Sequence, residues 1–95
     1  MAEKRRVHQV LIGASEGDAI TQMAFNLRDG LRQIFESEIF ALWRHGPLMQ
    51  VECLNLQDMP PSEEVDLLVY HLSIGYGEVH DFLCRREEPF ALVYH

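Results

Sequence analysis

Ninety-five residues, 47% of them hydrophobic and 24% charged, have room for one globular domain with one modest core, and none for a two-domain enzyme. Fifteen Asp and Glu against eight Lys and Arg leave a formal net charge of -7, which works against DNA, RNA or an anionic membrane as partner, because binding a polyanion needs cations to neutralise its phosphates. No apolar run approaches the roughly 20 residues of a membrane span, and no signal-peptide h-region follows the basic Lys4-Arg5-Arg6, so a cytoplasmic chain without a membrane span is expected.

Residues 7–12, VHQVLI, are rich in apolar and β-branched side chains and stop at Gly13, which predicts a first strand. Ile20, Ala24, Leu27, Leu31 and Ile34 recur at spacings of three and four and line one face of a helix. Asp18 is placed as its N-cap, where a carboxylate accepts orphan backbone N–H groups. EIFALW at 38–43 predicts a second strand. VECLNL at 51–56 alternates imperfectly, and the chain between, RHGPLMQ, is shorter than the dozen or so residues of a usual parallel crossover. This stretch predicts either a short edge strand or irregular chain with one helical turn at Pro47. MPPSEE is a loop, since paired prolines cannot donate ladder hydrogen bonds. VDLLVYHL at 65–72 has the near-continuous apolar character of a strand buried on both faces. A short helix with Val79, Phe82 and Leu83 on one face follows the loop SIGYG, and FALVY at 90–94 predicts a last buried strand. The series is α/β: half of a doubly wound, Rossmann-like, mainly parallel sheet with helices on its faces, in a single domain over residues 1–95.

The loop GASEGDAIT, residues 13–21, joins strand to helix where phosphates often bind, yet it fits neither phosphate motif. A P-loop needs a lysine where Asp18 stands, the dinucleotide fingerprint needs further glycines, and Glu16 and Asp18 would repel an anion at the helix N-terminus. Gly13, with no side chain, still permits a ligand to approach the backbone closely. His71 and His95 end two adjacent strand candidates in a repeated V-Y-H, on the same sheet edge as Gly13, where open α/β sheets bind ligands. Local hydrogen bonding at strand ends is the alternative role for both. His8, His45 and His80 read as structural or solvated, and Trp43 and Tyr76 as packing residues. No carboxylate or thiol has ligand spacing to His71 or His95, so no metal is expected, nor any other cofactor. Cys53 and Cys84 lack C-x-x-C spacing and read as buried, reduced, unlinked thiols.

HQVLIGASEGDAIT at 8–21, SEIFA at 37–41, DLLVYHLSIG at 66–75 and FALVYH at 90–95 resemble the N-terminal domain of family 4 (group 1) retaining glycosyltransferases. Their GT-B fold sets two Rossmann-like domains across a cleft. The resemblance implies that Gly13, Ala14 and Ser15 belong to the loop that approaches the donor diphosphate or the acceptor, although many members carry a second glycine there. It implies that His71 lies near the transferred sugar in a catalytic position, and that His95 is the strand-end histidine of the next strand on the substrate side. Members bind the nucleotide-sugar mainly through a C-terminal domain that has no counterpart in these 95 residues. The implied protein is therefore the acceptor-side part of an enzyme that transfers a sugar from a nucleotide-sugar donor to an acceptor. It is inactive alone, and its apolar surface favours a homo-oligomer. The alternative is a non-catalytic small-ligand-binding or assembly module on the same sheet. A flavodoxin-like receiver would need an acidic cluster where these strand ends present glycine and histidine.

Overall fold

The computed structural model describes residues 4–72 and 77–95. Its strands are β1 (Val7–Ser15), β2 (Ile39–His45), β3 (Leu54–Asn55), β4 (Leu67–Leu72) and β5 (Phe90–Tyr94). They form one sheet in the order β3-β2-β1-β4-β5, and every pairing is parallel. The expected Rossmann-like α/β fold is the one observed. Strand order reverses beside β1, which pairs with β2 on one side and β4 on the other, so the carboxyl ends of β1 and β4 flank the topological switch point.

Two apolar layers result from the period-2 alternation of the strands. One face packs Leu11, Ile39 and Ala41 against Ala24 of α1 (Ala19–Leu31) and Met49 of α2 (Pro47–Glu52), and Ala14 joins this layer although it is out of step with Leu11 in that alternation. The other packs Val10, Phe40, Leu68 and Tyr70 against Val79 and Leu83 of α3 (Gly77–Cys84) and against Leu56 and Val65 of the β3–β4 crossover. Fully burying a side chain such as Leu11 or Phe40 stabilises the fold by roughly 1.5–3 kcal/mol, so each layer carries a large share of a marginal total.

Several boundaries differ from the sequence expectation. β1 runs through Gly13 to Ser15, because Gly13, Ala14 and Ser15 pair in register with Trp43, Arg44 and His45. Helix α1 stops at Leu31, leaving Ile34 exposed, and its inward face is Thr21, Ala24 and Arg28, with Ile20, Leu27 and Leu31 half-buried beside it. An arginine can sit there because its guanidinium reaches the Glu52 carbonyl at 3.3 Å and carboxylate at 3.1 Å and lies 4.8 Å from the Phe25 ring centre, tying α1 to α2. Over 51–56 both weighed alternatives contribute: Gly46 at φ 91° and Pro47 start α2, and only Leu54 and Asn55 pair, with Phe40 and Ala41. A helix of little more than one turn is thus enough for this parallel crossover.

β5 is an edge strand, not a buried one: Phe90, Leu92 and Tyr94 are 50%, 55% and 80% exposed. Cys84 is likewise exposed, contrary to expectation, because it lies at the last position of α3, off the Val79–Leu83 stripe. Cys53 is buried, and both thiols are unlinked. Of the expected loop SIGYG, residues 73–76, with Tyr76 as a packing residue, lie outside the described residues, and Gly77 already begins α3. Among the described residues no helix is long and apolar enough to cross a membrane.

Candidate functional site

The carboxyl edge of the sheet holds a cleft of about 280 Å³ bounded by Leu11, Ile12, Gly13 and Ser15 of β1, Asp18 and Ile20 at the start of α1, His45 at the end of β2, and His71 of β4. Gly13 occupies ordinary strand conformation, and a Cβ built on it would meet nothing within 4 Å. Neither backbone geometry nor packing within the chain requires glycine there, which leaves the open space beside it available to a ligand. Gly17 differs, since its φ of 85° is the left-handed turn that brings the chain from β1 into α1.

At the α1 N-terminus the anion position is filled from within the chain. Asp18 accepts the Thr21 N–H at 2.9 Å and the Thr21 hydroxyl at 3.0 Å, and that hydroxyl accepts the Ser15 N–H at 3.2 Å. A carboxylate therefore sits where a phosphate would otherwise gain from the helix dipole. Among the described residues lining the cleft there is no lysine or arginine.

His71 is 3% exposed and is held from two sides. Gln9, fully buried on β1, donates its side-chain N–H to the Ala24 carbonyl at 2.8 Å and faces Nε2 of His71 with its Oε1 at 2.6 Å. A carbonyl oxygen only accepts, so the amide orientation is fixed by Ala24 and Nε2 of His71 must carry the hydrogen. Nδ1 of His71 meets Nε2 of His95 at 3.1 Å. Burial, reinforced by the positive charge that His95 can carry, pushes the His71 pKa down from 6.5 to about 4, so the ring is neutral at pH 7. Burial also lowers the His8 pKa, partly opposed by Glu38. Nδ1 of His8 accepts the Glu38 N–H at 3.1 Å, and its ring edge meets Phe40 at 5.2 Å.

Of the residues singled out in the sequence, Gly13, Ser15 and His71 line the cleft. Ala14 points into the α1 core layer and can offer a ligand no side chain. His95 stands beyond His71, outside the lining, with its backbone N–H on the Leu72 carbonyl at 2.9 Å. Two residues were missed. His45 lines the cleft because β2 runs two residues past the end of EIFALW, and its alternation with Trp43 was the available signal. Gln9 was hidden within an apolar run, where a lone amide in a central strand is itself the sign of a buried polar partner. Among the described residues no group of three or more His, Cys, Asp or Glu stands close enough to hold a metal ion. Compared with known proteins, the chain matches no family model, no curated protein and no solved structure.

Proposed function

We propose that this chain is a ligand-binding Rossmann-like half-domain whose switch-point cleft takes a neutral, hydroxyl-rich molecule. This is the acceptor-side role in a retaining glycosyltransferase that the sequence resemblance implies, in a cytoplasmic protein that turns over no nucleotide-sugar by itself. The observation that carries the proposal is the cleft's lining: glycine opens it, Asp18 and the His45 imidazole supply polar atoms, the His71 ring forms part of the wall, and Asp18 already occupies the helix N-terminus. Such a surface suits sugar hydroxyls, which both donate and accept, and disfavours a diphosphate, which needs cations.

Calorimetry with D-glucose and with UDP-glucose tests it. Weak, millimolar glucose binding and no micromolar UDP-glucose binding are expected. Gly13→Val, whose side chain enters the open cleft without meeting this chain's own atoms near its Cβ, should abolish glucose binding while leaving the fold intact. Micromolar UDP-glucose affinity, or unaltered glucose binding in the variant, would overturn the proposal.

A second proposal, of an assembly module, is favoured by the uncharged edge strand β5 and its exposed Phe90, Leu92 and Tyr94. Edge strands are ordinarily protected by charges, prolines or bulges, and none interrupts FALVY. Antiparallel pairing of two copies about Leu92 would set Phe90 opposite Tyr94 of the second chain, giving a homo-oligomer through a self-complementary edge.

A further inference from the structure

We propose that His95, not His71, presents the reactive imidazole nitrogen at this strand edge, and that the buried Gln9 positions it through His71. The proposal rests on the ligand-binding role assigned above to this edge, and it reassigns the part that His71 plays there. Both ring nitrogens of His71 are occupied: Nε2 donates to Gln9 Oε1 at 2.6 Å and Nδ1 faces His95 at 3.1 Å. It can therefore offer an incoming hydroxyl no nitrogen without breaking a bond within the chain, and its contribution to the cleft wall is ring surface.

The direction of each hydrogen bond follows from the one before. The Ala24 carbonyl accepts, so Gln9 gives it N–H and turns its oxygen to His71. His71 then holds its hydrogen on Nε2, and, being neutral, has a lone pair on Nδ1. That lone pair requires an N–H from His95 Nε2. In a neutral His95 the remaining nitrogen, Nδ1, is then a proton acceptor. The ring centroids lie 5.3 Å apart and the planes are 21° from parallel. This separation is close to the 3.1 Å N···N distance plus the two ring radii, so the rings meet edge to edge along a single N–H···N line. Lone pairs aimed at one another along that line do not converge on a third point, so the pair is an ordered hydrogen bond and not a half-built metal chelate. His95 is exposed, and the backbone hydrogen bond from its N–H to the Leu72 carbonyl fixes where its ring begins. The result is a chain of order running from helix α1 through β1 and β4 to one accessible imidazole at the end of β5. It suits accepting a hydrogen bond, or a proton, from a ligand hydroxyl.

Nitrogen-15 imidazole spectra of the free protein at neutral pH decide the wiring without any ligand. His71 should be uniformly the Nε2–H tautomer, and neutral His95 should also carry its hydrogen on Nε2. Gln9→Met removes the acceptor at nearly constant volume. In that variant His71 should become a mixture of tautomers and His95 should follow, while backbone amide spectra remain those of the folded chain. His71 with its hydrogen on Nδ1 in the unmodified protein, or a His95 tautomer indifferent to Gln9→Met in a folded variant, would overturn the proposal. Titration with D-glucose then tests the role it rests on. Shifts at His95 Nδ1, and a loss of affinity of roughly tenfold in His95→Phe, are expected for one hydrogen bond. Spectra that carry the expected tautomers but do not respond to glucose would refute the sugar-binding role and leave the positioning of His95 intact. A response to glucose with the opposite tautomers would do the reverse.

Discussion

Acidification should weaken this fold chiefly through His71. Above pH 6.5 the ring is neutral in both the folded and unfolded chain, and it contributes no pH dependence. Between 6.5 and about 4 only the unfolded chain takes up the proton, because burial disfavours the imidazolium in the folded state, so stability falls as pH falls. Each pH unit in that window is worth about 1.4 kcal/mol, so moving from neutral pH to pH 5 should remove about 2 kcal/mol, a large part of a small domain's stability. His8, whose pKa burial also lowers, acts with the same sign. Urea unfolding at pH 7, 6 and 5 reads the slope directly. His71→Gln does not titrate: it should be less stable at pH 7, yet its stability should vary with pH by close to one proton less than that of the unmodified chain. An equal slope in the two proteins would refute the assignment of His71 as a neutral, buried ring.

Asp18→Ala should cost about 1 kcal/mol in the same unfolding assay, since it removes the acceptor of both Thr21 donors; an unchanged midpoint would contradict the capping geometry. A thiol reagent should modify Cys84 in the native protein and Cys53 only after unfolding, because burial both encloses the Cys53 thiol and raises its pKa; equal native rates would refute this difference. Leu92→Lys should shift sedimentation at micromolar concentration from dimer toward monomer at little cost to the fold, as Leu92 is half-exposed. A monomeric unmodified chain would remove the basis for assembly through β5.

The central strands were legible because they are buried on both faces, and continuous apolar runs such as LIGA and LLVY have few other uses in an α/β domain. The edges were not. FALVY reads as a core strand by composition, and only its place at the end of the sheet order exposes Phe90, Leu92 and Tyr94. The 51–56 stretch was ambiguous because pairing there involves only Leu54 and Asn55, too short a segment for any periodicity to register. At the cleft, the placement of Gly13 and His71 was readable from their positions at strand ends, whereas His95 lies outside the lining. What those histidines do was not readable, because it depends on Gln9, 62 residues from His71 in sequence. Hydrogen-bond direction is a property of the whole chain of partners, and no local pattern encodes it.

The two margins of the sheet are unequal. On the β3 side only Leu54 and Asn55 are paired before the chain turns away into a 3-10 turn, whereas β5 offers five residues in regular extension. A sheet with two open margins can add copies without limit and grow into a fibre. Here one margin is too short to template a neighbour, so two chains that met along β5 would have no second margin left to extend. Association through that strand would be self-terminating, and the brevity of β3 would set its upper limit at a pair.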